Sequence, residues 1–374
     1  MGLIVLLSFV GCIREPELHL PGEVRDIDIP LVDLRLEAYW DYELSYDWQA
    51  EWIYGWDLED IANIGEIGYT EPTGFNVRRY YTYKQPYGKH TNVLSNVVRG
   101  TTLHCEFEFG YWDILVWSEI EPVGDDVQSL NINETLEQVT AYTNMTTRST
   151  RYQASRYTRT FWQPEQLFAA DERALEINEE LEGFEYDAER DIYVKKLNMV
   201  LEPVTYIYLT QVVIHNNNNK IIGIDGSADL SGMARSTNIN TGIADDDPIT
   251  VTYNVYYKPS KVDQNTGETV AVAGGRLMTF GITNENGNRI KDISEVEKND
   301  KYKHYMDVNM LFNNGMDSTF VFDVTDQIRK RWKGGVITVE LNMDTIPVPR
   351  RSGGSAFNAV VKDYEDGGTY EFPM

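Results

Sequence analysis

From Val32 to Leu44 the chain alternates. Val32, Leu34, Leu36, Ala38, Trp40, Tyr42 and Leu44 are apolar or aromatic, while Asp33, Arg35, Glu37, Asp41 and Glu43 fall between them with Tyr39. A period of two held this long is a strand with one face on a core. Leu103, Cys105, Phe107 and Phe109 repeat the pattern, and Tyr111 to Trp117 is apolar on both faces apart from Asp113, as in a central strand. Further runs rich in Val, Ile, Thr, Tyr and Phe lie at 75–83, 194–201, 205–215, 249–257, 276–283, 305–312, 319–324, 336–341 and 357–361. Their spacing predicts an all-β protein of antiparallel sandwiches. Asn216 to Asn219, between two β-branched runs, is a reversal suited to positive φ. Only two short helices are expected. One opens at Gln163-Pro164, and one spans Thr325–Trp332, with acids at its start and Arg329, Lys330 and Arg331 at its end.

A chain of 374 residues exceeds one ordinary core and divides into two domains. The boundary falls near Asn198–Pro203, giving sandwiches over 31–200 and 201–374. The acidic stretch 165–191 is expected to form a surface excursion of the first. A net charge of −26, from 33 basic and 59 acidic residues, repels phosphate backbones and excludes a nucleic-acid partner. Two cysteines do not make a disulfide scaffold, and Cys105 sits on the apolar side of its strand as a small hydrophobe.

The first residues carry a different signal. Leu3 to Val10 is almost wholly apolar, too short to span a bilayer, and leads to Gly11-Cys12. Phe9-Val10-Gly11-Cys12 resembles a bacterial lipobox, in which residues 1–11 are a lipoprotein signal peptide and Cys12 takes the lipid. Phe9 replaces the usual Leu, and no Lys or Arg precedes the run. That fits a start codon placed too far downstream, or a buried N-terminal strand that happens to end in Cys. On the lipoprotein reading, residues 12–30 form a tether and the protein works at a membrane surface.

The chain offers little to catalysis. Its five histidines are scattered, and no His-Glu-x-x-His, paired Cys motif or nucleophile elbow is present. Asp245-Asp246-Asp247 lacks the spacing of a calcium loop and reads as an acidic turn. Gly88-Lys89-His90-Thr91 reads as a polar loop. No catalytic residue, metal or cofactor is expected.

Two stretches are candidate contact surfaces. Eight aromatics fall between Tyr39 and Trp56, of which Trp48, Trp52, Tyr54 and Trp56 could stack on sugar faces or on a partner; packing a long loop onto the sandwich is the simpler alternative. Arg148, Arg151, Arg156 and Arg159 lie in a stretch, Gln138 to Pro164, that contains no acid. This basic stripe either pairs with the acidic 165–191 stretch, meets an acidic partner, or is a site for an arginine-specific protease.

Several phrases occur together and in order. They are Cys12-Ile13-Arg14-Glu15-Pro16, Tyr111 to Ser118, Tyr206-Ile207-Tyr208-Leu209, Gly226-Ser227-Ala228, Leu230 to Ala234, and Phe322 to Asp326. Their order resembles the Bacteroidales surface lipoproteins related to fimbrial anchor and accessory proteins, the fimbrillin-type superfamily. The resemblance implies two transthyretin-like sandwiches, an outer-membrane anchor through acyl chains on Cys12, and a non-enzymatic part in cell adhesion, anchoring or assembling a fimbria from fimbrillin-like subunits. An antiparallel sandwich has open edge strands, so a polymer can grow when one chain lends a strand to another's edge. Thr319–Val324 and Phe357–Val361 are the candidate edges. The alternative is a glycan-binding surface lipoprotein of a nutrient-uptake system.

Overall fold

In the computed structural model of the chain, the described residues are 32–41, 43–52, 64–83, 85–119, 128–132, 135–146, 159–287, 290–349 and 359–361. They are almost entirely β, as the alternation predicts.

The N-terminal sandwich consists of two four-stranded halves. One holds β1 (Val32–Trp40) between β4 (Thr102–Glu106) and β11 (Ile192–Pro203), with β10 (Glu185–Asp187) on the far side of β11. The other runs β3 (Asn92–Arg99), β2 (Gly74–Thr82), β5 (Gly110–Ser118) and β9 (Phe168–Ile177). The halves join only at a corner, where Glu202 and Pro203 of β11 meet Ala169 and Phe168 of β9. Leu34, Leu36 and Ala38 of β1 face Phe75, Val77, Ile114, Val116 and Phe168 across the core, so the parity of residues 32–40 does what it promised. Residues 168–177, expected in a surface excursion, instead form a strand of this sandwich. Its acids Asp171, Glu172 and Glu176 sit on a strand whose Phe168, Leu175 and Ile177 are buried. Three consecutive polar residues hid that pattern.

The C-terminal sandwich packs a four-stranded sheet on a six-stranded one. The first is β16 (Tyr256–Val262), β17 (Thr269–Thr279), β12 (Tyr206–His215) and β20 (Gly335–Asn342). The second is β21 (Ala359–Val361), β19 (Asp317–Asp323), β18 (Tyr305–Phe312), β13 (Ile221–Ala234), β15 (Pro248–Asn254) and β8 (Thr160–Trp162). Among the described residues four ladders are parallel: β1 with β11, β12 with β20, β15 with β8, and β19 with β21. The Asn216–Asn219 reversal behaves as composed: Asn216, Asn218 and Asn219 have φ of 52°, 46° and 58°. The buried Asn217 side chain bonds both the Ile221 amide and its carbonyl at 2.8 Å.

The two sandwiches are interlocked. β8 comes from the N-terminal half of the chain yet pairs with β15. Conversely, β14 (Ser236–Asn238) joins β7 (Thr140–Thr143) and β6 (Gln128–Asn131) in a small sheet. The four-stranded sheet is buried on both faces, so β12 is buried from Ile207 to Ile214, Thr210 and Gln211 included. Tyr208, Val212 and Ile214 face the C-terminal core. Ile207 and Leu209 face Trp52, Tyr69 and Phe168.

Helices are short, as expected, but one lies elsewhere. Residues 163–167, predicted to begin a helix at Pro164, run as an irregular connector. There Gln166 exchanges two 2.9 Å bonds with the backbone of Thr70, and Gln163 accepts from the Met278 amide. Tertiary bonds outweigh a weak local preference. Helix α1 is Trp48–Glu51, α2 is Ile293–Val296 and α3 is Thr325–Lys330. Among the described residues no helix is long and apolar enough to cross a membrane.

Candidate functional site

A sheet edge is a row of unpaired backbone donors and acceptors, and folded proteins block it with charge, proline, bulges or a covering element. Three edges of the C-terminal sandwich show how differently this is done. The edge at β16 carries Lys258, Pro259 and Lys261 across a register irregularity against β17. At β20 the Gln327 side chain, held on α3, bonds both backbone groups of Thr338: its Nε2 donates to the carbonyl at 2.8 Å and its Oε1 accepts from the amide at 3.0 Å. Both devices guard their edges against a further strand.

The edge at β19 has neither device. Its sequence, Asp317-Ser318-Thr319-Phe320-Val321-Phe322-Asp323, has no Lys, no Pro and no bulge. On one side it pairs antiparallel with β18 along its whole length, from Tyr305↔Asp323 to Leu311↔Asp317. Phe320 and Phe322 anchor it in the core, at most 1% exposed, with Phe312 and Phe320 rings stacked at 6.4 Å. Among the described residues, it meets only β21 on the other side, in parallel, through Phe320↔Ala359, Val321↔Val360 and Phe322↔Val361. The two segments singled out in the sequence as candidate edges therefore pair with each other. Parallel pairing is slightly less stable per residue than antiparallel, and among the described residues this ladder covers three of the seven positions of the edge.

The residues marked in the sequence are dispersed. Cys12, Tyr54, Trp56, Arg148, Arg151 and Arg156 lie outside the described residues. Trp52 is buried, and half-buried Trp48 meets it edge-on at 5.7 Å and 86°. Both belong to the core shared with the four-stranded sheet, where the Tyr46 hydroxyl donates to the Ile207 carbonyl at 3.0 Å. Arg159 pairs with Asp247, not with the 165–191 stretch. The acidic turn is internally satisfied. Asp245 accepts from the Arg235 amide and the Ser236 hydroxyl, and Asp246 pairs with Lys301 at 2.8 Å. Half-buried Cys105 has its thiol pushed up to about 11 by burial, far from a reactive thiolate. Among the described residues no three His, Cys, Asp or Glu side chains gather to hold a metal.

Sequence reasoning missed His90, set aside as part of a polar loop. Its Nε2 donates to Asp113 Oδ2 at 2.9 Å, the Arg173 guanidinium donates to Oδ1 at 3.1 Å, and the Ala174 amide to the same oxygen at 2.8 Å. Burial alone raises the Asp113 carboxyl, but these donors outweigh it and hold it below the ordinary value. The one signal was Asp113 itself, a lone acid in an apolar strand.

No family model matches the sequence, and no curated protein does. Similar solved structures exist. A Bacteroides ovatus protein described as a candidate adhesin has a TM-score of 0.46 and 15% identity, over 87% of this chain and 97% of that one. The fimbrial anchor protein Mfa2 from Porphyromonas gingivalis has a TM-score of 0.38 and 12% identity, over 91% and 95%. The tip fimbrial protein Mfa3 from the same organism, with a C-terminal truncation, has 0.29 and 8%, over 92% and 99%. At these scores and identities the likenesses carry no functional argument. They are nonetheless proteins of the kind that the short motifs of this sequence resemble.

Proposed function

We propose that this is a non-enzymatic surface lipoprotein, held to the outer membrane through acyl chains on Cys12, that anchors or helps assemble a fimbria-like polymer. The observation that carries this reading is the β19 edge. It is a seven-residue edge without Lys, Pro or bulge, and among the described residues it is covered by a ladder of three, Ala359–Val361. A subunit that lends a strand in place of β21 gains a longer ladder without disturbing the Phe320 and Phe322 anchors. A tethered chain that accepts such a strand and does not propagate fixes the polymer to the cell. The lipobox-like Phe9 to Cys12 supplies the tether in this scheme.

The test is crosslinking and pull-down of the native protein from its own outer membrane, with crosslinked peptides read by mass spectrometry. Small β-sandwich subunits joined to residues 317–323 are the expected result. Recovery of a transporter with glycan-degrading neighbours overturns the reading. A chain ending at Pro349, which lacks β21, should capture such a subunit more readily than the full chain. Equal capture would remove β19 from the scheme.

A further inference from the structure

The six-stranded sheet contains two acids that nothing neutralises. Ala228 and Leu230 of β13, like Met306 and Val308 of β18, point into the C-terminal core. Asp229 and Asp307 are the alternate residues and share the opposite face, directly across from each other in the antiparallel ladder. Residues so placed have Cβ atoms roughly 5 Å apart. Asp229 is 5% exposed and Asp307 2%, and both Asp307 carboxyl oxygens are buried with no hydrogen-bond partner.

Among the described residues, the surroundings offer no positive charge. Across β13 the neighbour of Asp229 on β15 is Thr252, and across β18 the neighbour of Asp307 on β19 is Val321. Along the strands the same face carries Ser227, Ser231, Tyr305 and Asn309. The other acids of β19 lie at its ends and are engaged, Asp317 by Asn309 at 3.0 Å and Asp323 by the Thr325 amide at 3.0 Å. Arg329, Lys303 and Asp323 act on His304 at the end of the sheet, and among the described residues the one charge acting on Asp307 is Asp229. Two ionised carboxylates facing each other in such a place repel without compensation, and protonation removes that repulsion.

We propose that Asp229 and Asp307 form a protonation latch: neutral in mildly acidic surroundings, they let β13 lie against β18, and their ionisation loosens that ladder as the pH rises through neutrality. The direction of both pKa shifts agrees with the geometry. Burial pushes Asp307 up to about 7, reinforced by Asp229, and pushes Asp229 up to about 6 against the opposing Thr252 hydroxyl. The two values belong to the pair rather than to either acid. Both lie above the ordinary value of 3.8, so the folded state keeps protons that the unfolded chain has released. Stability from the latch is therefore complete below about pH 4 and is lost as the pH climbs through 6 and 7. Because β18 carries β19, the same rise in pH weakens the support of the edge that β21 covers.

The test compares the full-length protein with D307N and D229N between pH 5 and pH 8.5, by thermal melts and by hydrogen exchange of the β13 and β18 peptides. An amide cannot ionise, so D307N should flatten the pH dependence. Relative to D307N, the wild type should unfold on the order of a hundredfold more readily at pH 8 than at pH 5, from tenfold per unit of raised pKa with allowance for relaxation. D229N leaves Asp307 buried but facing an amide, so its profile should be shallower than that of the wild type, which keeps the test open if D307N folds poorly. Parallel pH profiles for the wild type and either variant, or loss of stability at pH 8 in both, would overturn the latch. The readout is stability alone, so the outcome is independent of whether the protein takes part in a fimbria.

Discussion

The two sandwiches handle a buried aspartate in opposite ways. In the N-terminal one, Asp113 is 3% exposed and receives His90, Arg173 and the Ala174 amide. Asp33, 2% exposed, is likewise met by Arg190 at 2.8 Å. In the C-terminal one, Asp307 is equally buried and meets only another acid. Burial is common to all three, so it is the partners that differ. Asp113, given donors, is held ionised, whereas Asp307, given another acid, keeps a proton. The sandwiches should consequently fail at opposite ends of the pH scale. The Asp113 carboxyl lies below its ordinary value, so its contribution is present above about pH 4 and is lost as the pH falls. The Asp229–Asp307 contribution disappears in the other direction.

The largest effect that separates the two cases comes from removing the paired acid. Asp113→Ala leaves Arg173 and the Ala174 amide without their acceptor inside the β5–β9 ladder. Breaking a buried charge pair from one side costs ~3–5 kcal/mol. Denaturant unfolding at pH 7 should show a loss of that size, whereas D307N should gain stability at pH 8. A loss under 1 kcal/mol for Asp113→Ala would mean that the partners, not the burial, are incidental.

How much of this contrast was legible beforehand differs between the two sites. The strand class, most strand positions and the Asn-rich reversal follow from local period and composition, because each strand face contacts one continuous core. Asp113 stood out as a lone acid in an apolar strand, but its donors come from residues 90, 173 and 174, brought together by tertiary pairing that no local pattern encodes. Asp229 and Asp307 were invisible. Each sits on a parity that a half-buried sheet normally turns to water, and only their register places them face to face and dry. The β19 edge was half legible. Both of its segments could be named from hydrophobicity, yet their pairing needed the fold. The interlocking of the sandwiches through β8 and β14 left no trace in a sequence read one segment at a time.

A second way to probe the comparison separates charge from geometry within the C-terminal sheet. Gly232 sits at the bulge between β13 and β15, three residues from Asp229, with φ of +85°. A Cβ there would lie 2.3 Å from the Lys303 carbonyl oxygen, which is backbone and cannot swing aside. Gly232→Ala should cost ~1–3 kcal/mol from the left-handed backbone alone, with the clash adding to it. Its melting curves should be displaced by a similar amount at every pH, whereas D307N changes the slope. If Gly232→Ala also flattens the pH profile, the slope reports local packing and not the acid pair.

The smallest expected effect tests whether a partner matters when water remains. Glu51, on α1, accepts from the Arg331 guanidinium at 3.0 Å and 3.3 Å and ties the aromatic segment to the end of α3. It is paired as Asp113 is, but both side chains are about one-third exposed. Solvent already stabilises each charge there, so the pair has little left to contribute. Glu51→Gln should cost ~0.2–1 kcal/mol. Half-molar salt should erase most of that difference, because exposed charges are screened over a few ångströms. Asp113→Ala should keep its full cost in the same salt. Were Glu51→Gln as damaging as Asp113→Ala, exclusion of water would not be what distinguishes the acids of this protein, and the opposite pH responses of the two sandwiches would lose their physical basis.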